Sequence, residues 1–198
     1  AEMDHPVQNS SGYVSVESQG TYDLNNRLQG DISGATWSGL LGLTVTGSGS
    51  RFLGGGTASR LVVVGRSGGT SPDMGKLSVL SSGTLDTEGG WVGVFSTNAD
   101  DSDLVVSGGG SISLGAGRMV LGYINTGTGS DTRVISLALS GGGSISGTGA
   151  SVIDLTQNNT AAKTRVLTVT DDTVGTDFTI AAGIADGNQV GSGITKAG

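Results

Sequence analysis

Three aspartates crowd one short stretch, Asp100, Asp101 and Asp103, and two more stand together at Asp171 and Asp172. Carboxylates this close in sequence can supply the hard oxygen ligands that calcium takes. Calcium-binding β-rolls, however, repeat G-G-x-G-x-D at every turn, whereas this chain writes SGGGSISLG from Ser107, with serine in place of that aspartate. Aspartates that solvate turns and blunt strand edges are the other use of such clusters. His5 is the one histidine and lies beside Pro6 in a polar stretch, without the positioned partners that general-base work needs. Serine is abundant, yet no G-x-S-x-G elbow sits between a strand and a helix. Arg133 and Arg165 occupy matching places in DTRV and KTRV, with Asp131 close by. Arginines and aspartates grouped on one face serve polysaccharide-cleaving enzymes on β-helical scaffolds; a surface ladder paired with carboxylates is the plainer reading. TVT occurs at Thr44–Thr46 and Thr168–Thr170, but SVL, VVS and ALS intervene, so a flat threonine array of the ice-binding kind is broken. Eight aromatic residues, thinly spread, offer no stacking platform for sugars or bases. These residues point to no catalytic site, no metal and no cofactor, and a non-enzymatic role is expected.

The elements that would carry any surface are written repeatedly. SGGGSIS appears at Ser107–Ser113 and again at Ser140–Ser146, 33 positions later. Each copy follows an alternating apolar stretch, LVV from Leu104 and LAL from Leu137, and the same shape starts at Val14, Leu43, Leu77 and Leu167. The six starts are separated by 29, 34, 27, 33 and 30 residues. The last pair can also be aligned through TRVISL and TRVLTV, a shift of two that leaves side-chain parity unchanged. Second strands read RLVVVG at Arg60–Gly65, WVGVF at Trp91–Phe95, MVLGYI at Met119–Ile124, SVIDL at Ser151–Leu155 and FTIAAGI at Phe178–Ile184. Short branched runs between Gly, Ser, Asn and Asp clusters are strand signals. No long stretch keeps a helical apolar spacing, and glycine interrupts almost every window.

A unit of about 30 residues with two or three short strands cannot bury its own apolar side chains; stacked units can. The pattern predicts an all-β parallel solenoid of about six irregular coils of 27–34 residues, spanning residues 13–198 as one domain. Leu43, Leu77, Leu104, Leu137 and Leu167 would form one ladder, beside Val45, Val79, Val106, Leu139 and Val169. The glycine runs would turn corners at positive φ. An antiparallel sandwich of short strands is the structural alternative.

Composition sets the outer limits. The 198 residues include 38 glycines, two prolines and no cysteine. No disulfide framework or thiolate metal site is available. Charge is sparse at 14%, and the net value of −7 speaks against nucleic acid and anionic membrane surfaces as partners. No apolar run approaches the roughly 18 residues of a spanning helix, so no membrane span is expected. A chain starting at Ala1 reads as one released by signal-peptide removal.

The stretch LVVSGGGSISLGAGRMVLGYINTGTGS resembles the autotransporter-associated β-strand repeat of secreted and surface bacterial proteins. There a strand, a glycine-rich turn and a G-x-hydrophobic-x-hydrophobic-G segment recur at a loose period. The resemblance implies a right-handed parallel β-helix, extracellular or at the cell surface. It is closest over 104–155, and the C-terminal membrane barrel of that family has no counterpart here.

With no capping helix evident at either end of the predicted stack, the leading expectation is a structural protein whose partner is itself, stacked head to tail into a filament or tube. Met3, Val7, Val14, Val16, Ile180, Ile184 and Val190 are the candidate self-assembly residues. An adhesin or carbohydrate-binding passenger fragment, with surface glycans as partners, is the alternative, and a polysaccharide-active enzyme a third. Ala1–Gly12 lacks the alternation and reads as an assembly arm or a disordered tail.

Overall fold

In the computed structural model the described residues are 13–24, 37–38, 42–54, 61–64, 66–67, 76–94, 102–121, 135–155, 164–169, 176, 178–185 and 193–197. They hold strands and turns, with no helix among them. The first coil supplies β1 (Tyr13–Val16) and β2 (Thr21–Asp23), followed by the two-residue β3 (Trp37–Ser38). The second supplies β4 (Gly42–Thr46), β5 (Arg51–Leu53), β6 (Leu61–Val64) and the short β7 (Arg66–Ser67). Three strands each come from the third coil, β8 (Lys76–Leu80), β9 (Thr84–Asp86) and β10 (Trp91–Val94), and from the fourth, β11 (Ser102–Ser107), β12 (Ser111–Ser113) and β13 (Arg118–Leu121). The fifth gives β14 (Ile135–Leu139), β15 (Gly143–Ser146) and β16 (Val152–Asp154). The sixth gives β17 (Thr164–Val169), β18 (Phe178–Ala181) and β19 (Gly183–Ala185), and β20 (Gly193–Ala197) opens a seventh.

Equivalent strands stack into three parallel sheets, one per side of the coil. The first runs β1-β4-β8-β11-β14-β17-β20, the second β2-β5-β9-β12-β15-β18 and the third β6-β10-β13-β16-β19; β3 and β7 form a small antiparallel pair apart from them. The chain is therefore a parallel β-solenoid. Seven rungs at about 4.8 Å make the first sheet about 30 Å tall.

The register matches the leucine ladder read from the sequence. Val14 pairs with Leu43, then Leu77, Leu104, Leu137 and Leu167 follow in one file. Val16, Val45, Val79, Val106, Leu139 and Val169 form the next file. In the middle coils, where both files have neighbours above and below, Leu43, Leu77, Leu104, Val45, Val79 and Val106 are fully buried. Opposite them, the second sheet stacks Tyr22, Phe52, Leu85, Ile112, Ile145 and Ile180 in one inward file. Tyr22 and Phe52 lie ring on ring, with centroids 5.1 Å apart.

SGGGSIS is a corner followed by a strand. Gly110 N–H donates to the Ser107 carbonyl at 3.0 Å, and Gly143 N–H to that of Ser140 at 3.2 Å. Between them Gly108, Gly109, Gly141 and Gly142 all have positive φ, from 57° to 74°. Two successive positive φ values define the tight primed turn. Other coils build the same corner without glycine in its middle: Ser18 and Gln19, and Ser81 and Ser82, take φ between 48° and 64°. Corners are stitched from coil to coil, since Ser82 N–H donates to the Gly108 carbonyl at 2.9 Å and Gly109 N–H to that of Gly141 at 2.7 Å.

One sequence expectation needs correction. FTIAAGI is not one second strand: it divides into β18 on the second sheet and β19 on the third, because the corner between those sheets shrinks to Ala182 alone. Leu137 pairs with Leu167, an offset of 30, which is the register of the leucine ladder and not that of the TRV match. Arg133 itself lies outside the described residues, as do Asp131, Asp100, Asp101, Asp171 and Asp172.

Candidate functional site

The ends of the stack are where burial fails. Val14, Ile180 and Ile194 pack against the core but are only partly buried, while Leu43 and Ile145, the counterparts of Val14 and Ile180 one coil inward, are sealed. Ile184 pairs with Ile153, which is 3% exposed, yet Ile184 itself is 49% exposed because β19 has no described strand beyond it. Val16 is buried at 5%. At the first coil an open groove of about 310 Å³ is lined by residues 15–18 and 20–22. Of the candidate assembly residues, the structure thus places Val14 and Val16 on the first rung, and Ile180 and Ile184 at the far end. Met3, Val7 and Val190 lie outside the described residues, as does the whole 1–12 segment.

Tyr13 is the other large exposed apolar side chain, at 80%. It sits on the outer face of β1, in register with Gly42. A Cβ built on Gly42 would lie 2.6 Å from Tyr13 Cδ1, so the ring leans back over the second rung and covers the bare glycine. An aromatic residue that covers an edge glycine is a known device for stabilising strand pairs.

A second constellation lies on the outer side of the third sheet, in the middle of the stack. Trp91 and Arg118 are register partners on adjacent rungs, and the Arg118 guanidinium carbon stands 4.8 Å from the Trp91 ring centroid. On its other side Arg118 Nη1 reaches Asp154 Oδ2 at 3.0 Å. Asp154 follows Val120 in the register. Val120 lies between the core residues Met119 and Leu121 and faces away from them, yet it too is fully buried. The outer face is therefore covered at this point, and the Asp154 side chain is only 5% exposed, against 38% for Arg118.

Burial raises the Asp154 pKa, and the Arg118 charge draws it part of the way back. The folded chain thus holds this proton more tightly than the unfolded chain does. The resulting stability is fully present below the ordinary carboxylate value of about 4 and is lost as pH rises through the raised value. Asp154→Asn removes that component, so its melting temperature should vary less than the wild type's in the window just above about pH 4. Thermal melts at closely spaced pH values check this; an equal or steeper slope in the variant would refute it.

Hydroxyls, not ions, dominate the outside of the second sheet. Thr84, Ser111, Ser144 and Thr179 occupy one file over four rungs, and Thr84 Oγ1 lies 3.2 Å from Ser111 Oγ. The TVT segments give no such run: Thr44 is followed in its file by Ser78, Val105 and Ala138 before Thr168. No group of three or more His, Cys, Asp or Glu side chains that would hold a metal occurs among the described residues. Nor, among them, is any helix long and apolar enough to cross a membrane.

Sequence reasoning missed the Trp91–Arg118–Asp154 set, although part of its signal was present. Aligning WVGV with RMVL places Trp91 beside Arg118. Asp154 escaped because its bond to Arg118 runs diagonally, two residues along and one rung away. No protein-family model matches the chain, and no curated protein or solved structure is detectably similar to it.

Proposed function

We propose that the chain is a secreted structural solenoid that stacks head to tail into an extracellular filament. One observation carries this reading: the two large apolar side chains left exposed among the described residues, Tyr13 and Ile184, lie at opposite ends of the stack. A monomeric solenoid needs caps that shield its terminal core. Here the terminal strands carry partly open core files and edges without described partners. Contact between unlike ends does not close on itself and so propagates. The resemblance to extracellular β-strand repeats supports the same setting.

Negative-stain electron microscopy with analytical ultracentrifugation tests it. The wild type should form unbranched filaments whose mass grows with concentration. Ile184→Asp should remain as discrete rods of unchanged fold by circular dichroism, since a half-exposed side chain contributes little within one copy. Monodisperse wild-type rods at every concentration would overturn the proposal.

The adhesin reading draws on a different feature, the half-exposed Arg118 beside Trp91 with a hydroxyl file on the neighbouring face. Cationic, aromatic and hydroxyl groups together suit acidic glycans. Binding on a glycan array that Arg118→Ala abolishes would favour that reading.

A further inference from the structure

We infer that the joint between copies is the pairing of β20 of one chain with β1 of the next, in the register Thr195 opposite Tyr13 and Ala197 opposite Ser15. This rests on the stacking reading above. The first sheet keeps one core file through six successive pairings, Val14, Leu43, Leu77, Leu104, Leu137, Leu167 and finally Lys196. A seventh pairing in the same file sets Lys196 opposite Val14 of the next copy, and the flanking pairs follow from it.

The two edges are suited to each other. All seven strands run parallel, so the edge of β1 and the edge of β20 that lack described partners present the same two sets of backbone groups that meet at every interior pair. Val14 packs on the core while remaining partly exposed, and a further rung would cover it. Tyr13 leans toward Gly42, back into its own stack, and leaves the open edge of β1 clear.

The chain has no cysteine, so introduced pairs report without background. Neighbours across one rung lie about 4.8 Å apart, inside the roughly 4.4–6.8 Å Cα range of disulfides. Ser15→Cys with Ala197→Cys should therefore yield a ladder of covalent multimers on mild oxidation. Ser15→Cys with Thr195→Cys places the thiols on the diagonal, about 7–8 Å apart, and should not. A ladder from the diagonal pair, or from neither pair while filaments persist, overturns the joint. If neither filaments nor the in-register ladder form, both ideas fail.

Discussion

Leu104→Ala should lower the unfolding free energy by about 2–5 kcal/mol, the range for truncating a fully buried leucine. Leu104 is fully buried and sits fourth in a file with Leu77 on one side and Leu137 on the other. Rungs above and below hold its surroundings in place, so the vacated space cannot collapse easily, and the upper half of that range is expected. In a stack where each coil touches only its neighbours, a weak central coil also interrupts coupling between the two halves. Urea titration checks the magnitude, and a second transition would expose the lost coupling. Val105→Ala is the internal control, because Val105 alternates to the outer face and is only partly buried. If the two substitutions cost the same, the leucine file is not the core.

Gly110→Ala should be the more severe change, beyond the about 1–3 kcal/mol usual for overpacking. A Cβ at Gly110 would overlap the carbonyl oxygen of Val79 on the neighbouring rung and lie 3.1 Å from the Leu80 nitrogen. Both obstacles are backbone, held by the ladder that defines the solenoid, so neither can swing aside. Gly109→Ala makes the comparison. Its strain is conformational, with φ at 74°, and the nearest atom to its Cβ is the Ser82 hydroxyl at 3.2 Å. A left-handed residue costs roughly 1–2 kcal/mol, and Ser81 and Ser82 bear that cost one coil away. Gly109→Ala should fold with modest loss, and Gly110→Ala should fold poorly or not at all. Chemical denaturation of the two variants decides; equal losses would mean that turn conformation, not contact between rungs, selects glycine here.

That contrast marks what was legible in the chain. A leucine in an alternating stretch repeats because each coil must offer the same side chain to the same file, so Leu43, Leu77, Leu104, Leu137 and Leu167 could be aligned by eye. The glycine corner was legible at SGGG and hidden at SSG and SQG, where serine and glutamine accept the left-handed conformation. Which glycine is irreplaceable was not legible at all, because it depends on a carbonyl 31 residues away in sequence, Val79 against Gly110. β20 was faint for a related reason: Lys196 stands where the file would lead one to look for an apolar residue. The Arg118–Asp154 bond joins different rungs along a diagonal, and no one-dimensional pattern encodes a diagonal.

The uneven period has a consequence for what the scaffold can carry. From coil to coil, the start of the first-sheet strand and the start of the second-sheet strand advance almost in step: Leu77 to Leu104 and Thr84 to Ser111 are both 27, and Leu104 to Leu137 and Ser111 to Ser144 are both 33. The difference is absorbed chiefly after the third-sheet strand, where 7 residues separate β10 from β11 and 13 separate β13 from β14. Lengthening a connection adds little closure entropy, and the core files on either side keep their register. The third corner is thus where the repeat takes up added length, and a segment inserted between β13 and β14 should leave the core files in register.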